Sequence, residues 1–404
     1  MVTPEEKMKT ATFAEHGEAL SSLYQSEELL SAIEKAVAAG EEFETRDALA
    51  ARGPFPAKKR QLMKSYTIPY FDNVYPHIRF RPEMNVLFAA AGMGMDIKDL
   101  SKYSPPALNI YGIDICHSVL RLAVRNHVPA RLSCGPAERL PFPDDFFDVI
   151  VSCETIEHLQ HPERFVAEIV RVGKHGCQVF IGTPNGSSWA ACHLEEKLYA
   201  FRTGRRFRPR RITDNHRTSR EIRALADSAD GNLKLDRMIF DMPFYFLCGL
   251  LPNCASGLIR IIKRLTAFVQ DTSPFNRVFC DQAKYFFTVQ KRCQARQSAV
   301  AASVFVCPEC RNRLSANASE FSCDQCQVSY PVKDGIIVFL PDESPRTAAE
   351  KPHPGVRHKR WGAIKQLGLC FHGLALLTLW LVLLPMVLIF HLAWAGRRSL
   401  SKVE

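Results

Sequence analysis

"VLFAAAGMGMD", Val86 to Asp96, reads as an apolar strand running into a glycine loop. In open α/β sheets such a junction holds nucleotide-like ligands, because residues without long side chains let the backbone approach them. Val86–Ala91 is the first of four strand candidates, followed by Leu108–Ile113, Val149–Cys153 and Gln178–Gly182, with helical or loop stretches between them. That alternation predicts parallel strands with crossovers, an α/β fold of Rossmann-like type. Two later strands, "LKLDRMIF" and "KYFFTVQK", close the region, which runs over residues 66–292.

Around this core the 404 residues divide further. Residues 1–65 read as a polar helical region, in which "SLYQSEELLSAIEKAVAAG" stops at Gly40. A mostly apolar insertion occupies 243–279. Its segment "GLIRIIKRLTAF" places Leu258, Ile259, Ile262, Leu265 and Phe268 near one face, which suits an interfacial helix or a lid over the site, and both readings stay open. A cysteine module spans 304–341 and a polar linker 342–366. Leu367–Trp394 then holds 28 residues without Asp, Glu, Lys or Arg. Roughly 20 apolar residues cross a bilayer, so 367–394 is expected to be a transmembrane helix.

The formal charge of +10 is concentrated. Arg202–Arg223 holds nine arginines against Asp214 and Glu221, a local +7 (nine minus two). Such a run implies a local anionic group, a phosphate, an acidic substrate or a lipid surface, and argues against a general nucleic-acid binder. Of the 14 cysteines, four are patterned and the others scatter singly among apolar residues. With no apolar core near the N-terminus to act as a signal peptide, a reducing, cytosol-facing setting is expected.

The patterned four are Cys307-x2-Cys310 and Cys323-x2-Cys326. Two such knuckles supply four thiolates for a tetrahedral Zn²⁺, which stabilises a piece too small for its own core. All four positions are filled by protein, so the metal is expected to be structural.

"VLFAAAGMGMD", "IYGIDIC", "ERLPFPDDFFDVIVSCETIEHLQHPERFVAEIVRVGKHG" and "VFIGTPN" together resemble class I S-adenosylmethionine-dependent methyltransferases, over about Val86–Arg292. The resemblance implies a seven-stranded sheet with a cofactor site at Ala90, Gly92, Met93 and Gly94 of the loop. It adds Asp114 and Ile115 after the second strand, Asp114 taking the ribose hydroxyls, Ala137 and Glu138 beside the adenine, and Cys153 at the end of the fourth strand. Three positions depart from the family: Phe88 stands for its usual acid, Ala90 for a glycine and Pro136 for a frequent Asp. "ETIEH" offers Glu154, Glu157 and His158 within one expected helical turn, as a base or as ligands of a divalent ion such as Mg²⁺. Their alternative role is to hold the loop. Thr218 or Ser219 is expected to cap the helix that follows "DNH", and His216 lies near the site in relatives. "YPVKDGIIVFLP" adds a resemblance to small zinc-ribbon proteins that bind and activate methyltransferases, here fused in cis.

The reading is a membrane-anchored methyltransferase facing the cytosol. Its expected acceptor is membrane-associated, such as a quinone precursor, a lipid or a lipid-linked saccharide, methylated at oxygen. Two rivals stand beside it: an inactive docking platform, motivated by Phe88, Ala90 and Pro136, and an RNA methyltransferase.

Overall fold

The computed structural model describes residues 71–188, 216–243, 280–291 and 304–340, apart from 102, 104–106, 160 and 318. The helical region 1–65, the insertion after Pro243, the linker 342–366, the span 367–394 and Arg202–Arg211 lie outside the described residues. Among the described residues no helix is long and apolar enough to cross a membrane.

Seven strands make the central sheet: β1 (Asn85–Ala89), β2 (Asn109–Asp114), β3 (Arg131–Cys134), β4 (Phe147–Cys153), β5 (Gly173–Pro184), β6 (Leu233–Pro243) and β7 (Cys280–Val289). Their order is β6-β7-β5-β4-β1-β2-β3. β3-β2-β1-β4-β5 are parallel, whereas β7 runs antiparallel between β5 and β6. β1 pairs on one side with β2 and on the other with β4. The order reverses there, and the crevice above that point is where such sheets bind ligands. β3, four residues opening on Arg131, shows little periodicity and escapes the sequence reading.

Residues alternate along each strand to feed two cores, as expected of a sheet covered on both faces. One face carries Val86, Phe88, Val149, Val151, Phe180 and Phe286 beneath Phe71, Val74, Tyr75 and Ile78. It also takes Ile97 and Leu100 of α1 (Met95–Leu100) and Leu120 and Ala123 of α2 (His117–Arg125). The other face carries Leu87, Ala89, Tyr111, Ile150 and Ile181. It is covered by Phe165 and Ile169 of α3 (Pro162–Val172) and Ile222 of α4 (Ser219–Asp227). α4 starts as expected, with Thr218 and Glu221 in a reciprocal capping box.

The cysteine module is not a separate body. Its strands β8 (Ser315–Ala316), β9 (Glu320–Cys323), β10 (Val328–Lys333) and β11 (Ile336–Val338) extend the sheet to eleven strands. β11 runs parallel to β3, with Ile337 opposite Ser133 and Val338 opposite Cys134, and Phe339 N donates to Cys134 O at 2.7 Å. An edge strand exposes unpaired backbone groups, and here β11 covers those of β3. The seven-stranded expectation therefore holds for the core, while the ribbon becomes part of the same sheet.

Gly94 closes the loop before α1 with φ +75°. A Cβ there would lie 2.6 Å from Val128 Cγ2, a clash with a branched side chain of α2's trailing turn. Gly94→Ala combines that overlap with left-handed strain, so a loss of about 2 kcal/mol is expected in urea unfolding. An unchanged midpoint would show that Val128 can move aside to make room for the methyl.

Candidate active site

The loop from β1 to α1 folds back onto the end of β2. Ala90 N and Ala91 N both donate to Ile113 O, at 2.8 and 2.9 Å. Gly92 N donates to Asp114 Oδ2 at 2.9 Å, and Cys116 N to Oδ1 at 2.9 Å. Burial raises the Asp114 carboxyl above its ordinary value, and the Cys116 and Gly92 backbone donors offset only part of that rise. A carboxylate offers about four lone-pair sites, so each oxygen keeps one for a further donor. A pair of vicinal hydroxyls fits that demand. Gly92, at φ +52°, has nothing within 4 Å of the place a Cβ would take, so the loop presents bare backbone.

The departures acquire physical content here. Phe88 is 2% exposed and belongs to the apolar core, so no acid stands at that position. Ala90 sits at φ +67°, where an alanine costs roughly 1 kcal/mol over glycine. Met93 is buried at 3%, Ile115 partly, and Ala137 packs against the second core. Glu138 is 8% exposed and accepts from His161 N at 3.3 Å, which ties the turn after β3 to the approach to α3. Cys153 ends β4 at the carboxyl edge, partly buried.

"ETIEH" departs from expectation. α3 begins only at Pro162, and residues 154–159 form a turn, so Glu154 and His158 are not one helical turn apart on a shared face. Pro162 suits a first helical turn and disfavours helix before it. Among the described residues only the four cysteines bring three or more ligating atoms within 4.8 Å of one another, and Glu154, Glu157 and His158 are not gathered in that way. Glu157 is 2% exposed and accepts from Thr183 Oγ1 at 3.0 Å, bracing the turn against β5. His158 Nε2 lies 3.9 Å from Glu157 Oε1, with its side chain 32% exposed.

Burial, then the Glu154 charge, pushes the Glu157 carboxyl up to about 8. An unfolded glutamate releases its proton near 4.5. Through that window the unfolded chain binds fewer protons than the folded one, so this group's contribution to stability is whole below about 4.5 and declines as pH rises towards 8. The decline is up to about 1.4 kcal/mol per pH unit. Glu157→Gln, which cannot ionise, should gain on the wild type between about pH 5 and about pH 8 when denaturant midpoints are compared. Parallel curves for the two proteins would refute the raised Glu157 carboxyl.

The ribbon holds its thiols ready for a metal. Cys310 and Cys323 Sγ are 3.4 Å apart, and Cys307 and Cys326 Sγ 3.9 Å. Zn–S bonds of about 2.3 Å in a tetrahedron require sulfurs about 3.8 Å apart, which these spacings bracket. Contact with Cys310, then burial, raises the Cys326 thiol, a crowding that a thiolate-binding cation relieves. The knuckle also reaches the cofactor side. Val306 N donates to Pro141 O at 3.0 Å, Arg139 pairs with Glu309, and Arg311 lies 3.5 Å from Glu168. Glu168 in turn accepts from Leu140 N at 2.7 Å and is gripped by Arg171.

Several groups at the carboxyl edge escape the sequence reading. Tyr75, 1% exposed, donates to Asp96 O at 2.7 Å and so anchors the segment before β1 to α1. Lys284 and Asp241 form a fully buried pair at 2.7 Å, and Asn73 also donates to Asp241. The one available signal was a lysine at the head of an otherwise apolar strand. His216, by contrast, is exposed, and its carbonyl packs against Gly186.

These features define the class. Residues 87–181 match the family model described as a methyltransferase domain, and residues 303–335 match that of Trm112p-like proteins. The chain therefore carries a methyltransferase domain and a Trm112-like zinc ribbon together. Curated relatives are the ubiquinone/menaquinone biosynthesis C-methyltransferases UbiE of Burkholderia cenocepacia (32% identical over 127 residues) and Burkholderia mallei (36% over 127). In both, the match covers 30% of this chain and 51% of the relative, so the chain spans about half the length of the curated relatives it matches. Solved structures with a similar outline include the YcgJ protein of Bacillus subtilis, at 18% identity and a TM-score of 0.37, covering 55% of this chain and 98% of that one. A chain from the complex of the Haloferax volcanii Trm112 activator with a putative methyltransferase is 15% identical with a TM-score of 0.40, covering 62% and 97%.

Proposed function

We propose that the protein transfers the methyl group of S-adenosylmethionine to an apolar, membrane-partitioned acceptor of the quinone-precursor class. The observation that carries the cofactor half of this reading is Asp114, fixed by two backbone donors with acceptor capacity to spare beside bare loop backbone. S-adenosylmethionine supplies an electrophilic methyl on a sulfonium. Asp114 would hold its ribose, and the turn at Ala137 and Glu138 would line the adenine. Cys153 and the "ETIEH" turn would stand towards the reacting end. Positioning accounts for much of the rate in such a displacement. That methyl would pass to the acceptor as the carbon–sulfur bonding pair stays with sulfur, and the acceptor's proton would need a base. His158, partly exposed beside buried Glu157, is the group offered there.

The relatives are named C-methyltransferases, which supports a carbon acceptor over the oxygen expected from the sequence. Residues 367–394 supply the membrane anchor in this reading, and the arginine run within Arg202–Arg223 a cationic contact for an anionic group at the lipid surface.

The test uses the full chain, zinc-loaded in detergent. S-adenosylmethionine is titrated calorimetrically, and label transfer into membrane lipid extract is then followed. Micromolar binding with label entering the quinone fraction is expected. Binding without transfer to any lipid would overturn the acceptor class. No binding would favour the docking platform.

A further inference from the structure

The sheet face that carries Phe88, Val151, Phe180 and Phe286 turns polar at its carboxyl edge. Strand register puts Gly182 beside Lys284, and Gln282 between Pro184 and Asp241. Cys153 adjoins Gly182 from β4, so this row reaches the strand end nearest the cofactor loop. Lys284 Nζ and Asp241 Oδ2 are 2.7 Å apart with both side chains 0% exposed. Their charges cancel, and an anionic ligand would find no net attraction beside them. Gln282 is 2% exposed, and its Oε1 is buried with no hydrogen-bond partner among the described residues. Buried carbonyls of this kind are nearly always satisfied, so an orphan at the carboxyl edge points to a donor other than the described residues.

We infer that Gln282 is a specificity-determining residue whose side-chain carbonyl accepts a hydrogen bond from a neutral hydroxyl of the methyl acceptor. The ion pair beside it sets the sign. Lys284 and Asp241 are already matched, which leaves Gln282 as the acceptor and selects an uncharged, hydroxyl-bearing head group over a carboxylate or phosphate. This inference rests on the methyltransferase reading and narrows it to hydroxylated, neutral acceptors.

The probe is a short-chain prenyl hydroquinone, compared with its dimethyl ether. Each is titrated into the full-length, zinc-loaded protein saturated with S-adenosylhomocysteine. Wild type is expected to bind the hydroquinone at least about tenfold more tightly than the ether. Gln282→Met should erase that preference while leaving S-adenosylhomocysteine affinity unchanged. It should not lower the unfolding temperature, because no partner within the described chain is lost. Equal binding of hydroquinone and ether by wild type overturns the inference without recourse to any variant. A preference that survives in Gln282→Met overturns the assignment to Gln282. Failure of wild type to bind hydroquinone while it binds S-adenosylhomocysteine overturns the acceptor class. Failure to bind S-adenosylhomocysteine at all removes the methyltransferase reading beneath it.

Discussion

Replacement of Cys323 by serine is expected to empty the zinc site and to unfold β8–β11, leaving β3 as a bare edge. Cys323 is 1% exposed and its sulfur lies 3.4 Å from that of Cys310, so serine removes one of four ligands from a closed set. Structural zinc contributes on the order of 10 kcal/mol to small folds of this kind, more than a short ribbon's core supplies. The damage should not stop at the ribbon. β11 is hydrogen-bonded to β3, and Phe305, Cys307 and Tyr330 belong to the same apolar core as Tyr111, Phe142 and Phe165. Metal analysis should fall from about one zinc per chain to none. Hydrogen exchange at Arg131–Cys134 should accelerate, and an uncovered edge of this kind invites association between chains. Unchanged exchange at β3 after zinc loss would show that the strand pairing does not depend on the metal.

Asp114→Ala is expected to weaken S-adenosylmethionine binding by about a hundredfold or more in calorimetric titration. Hydrogen bonds to a charged group are worth about 1.5–3 kcal/mol each, and the ribose offers two donors. The substitution also strips Gly92 N and Cys116 N of their acceptor, so the loop loses its tie to β2 as the ligand loses its anchor. Asp114→Asn keeps one carbonyl oxygen and should fall between wild type and alanine. If alanine binds as wild type does, the ribose is held elsewhere and the loop reading fails.

Much of this site was legible because its chemistry is local. A strand, a glycine loop and an acid at the next strand's end are contiguous words, and the cysteine knuckles announce themselves by spacing alone. The limits fall where one segment's state depends on another. "ETIEH" has helical spacing, yet Pro162 delays the helix and Thr183, on β5, draws Glu157 inward. β3 has too little pattern to be read as a strand, and only its neighbours β2 and β11 make it one.

By itself the sequence determined the α/β class, the glycine loop with Asp114 at the end of the next strand, and the four-cysteine cluster, because side-chain period and short-range spacing carry those features. Tertiary structure alone decided that the ribbon would complete the sheet at β3, that Glu157 would be buried with its carboxyl raised, and that Gln282 would lie without a partner among the described residues beside a cancelled ion pair. Strand order, register and burial bring together residues as far apart in the chain as Cys134 and Phe339, and no local pattern encodes which distant neighbour takes up a backbone donor or strands a carbonyl.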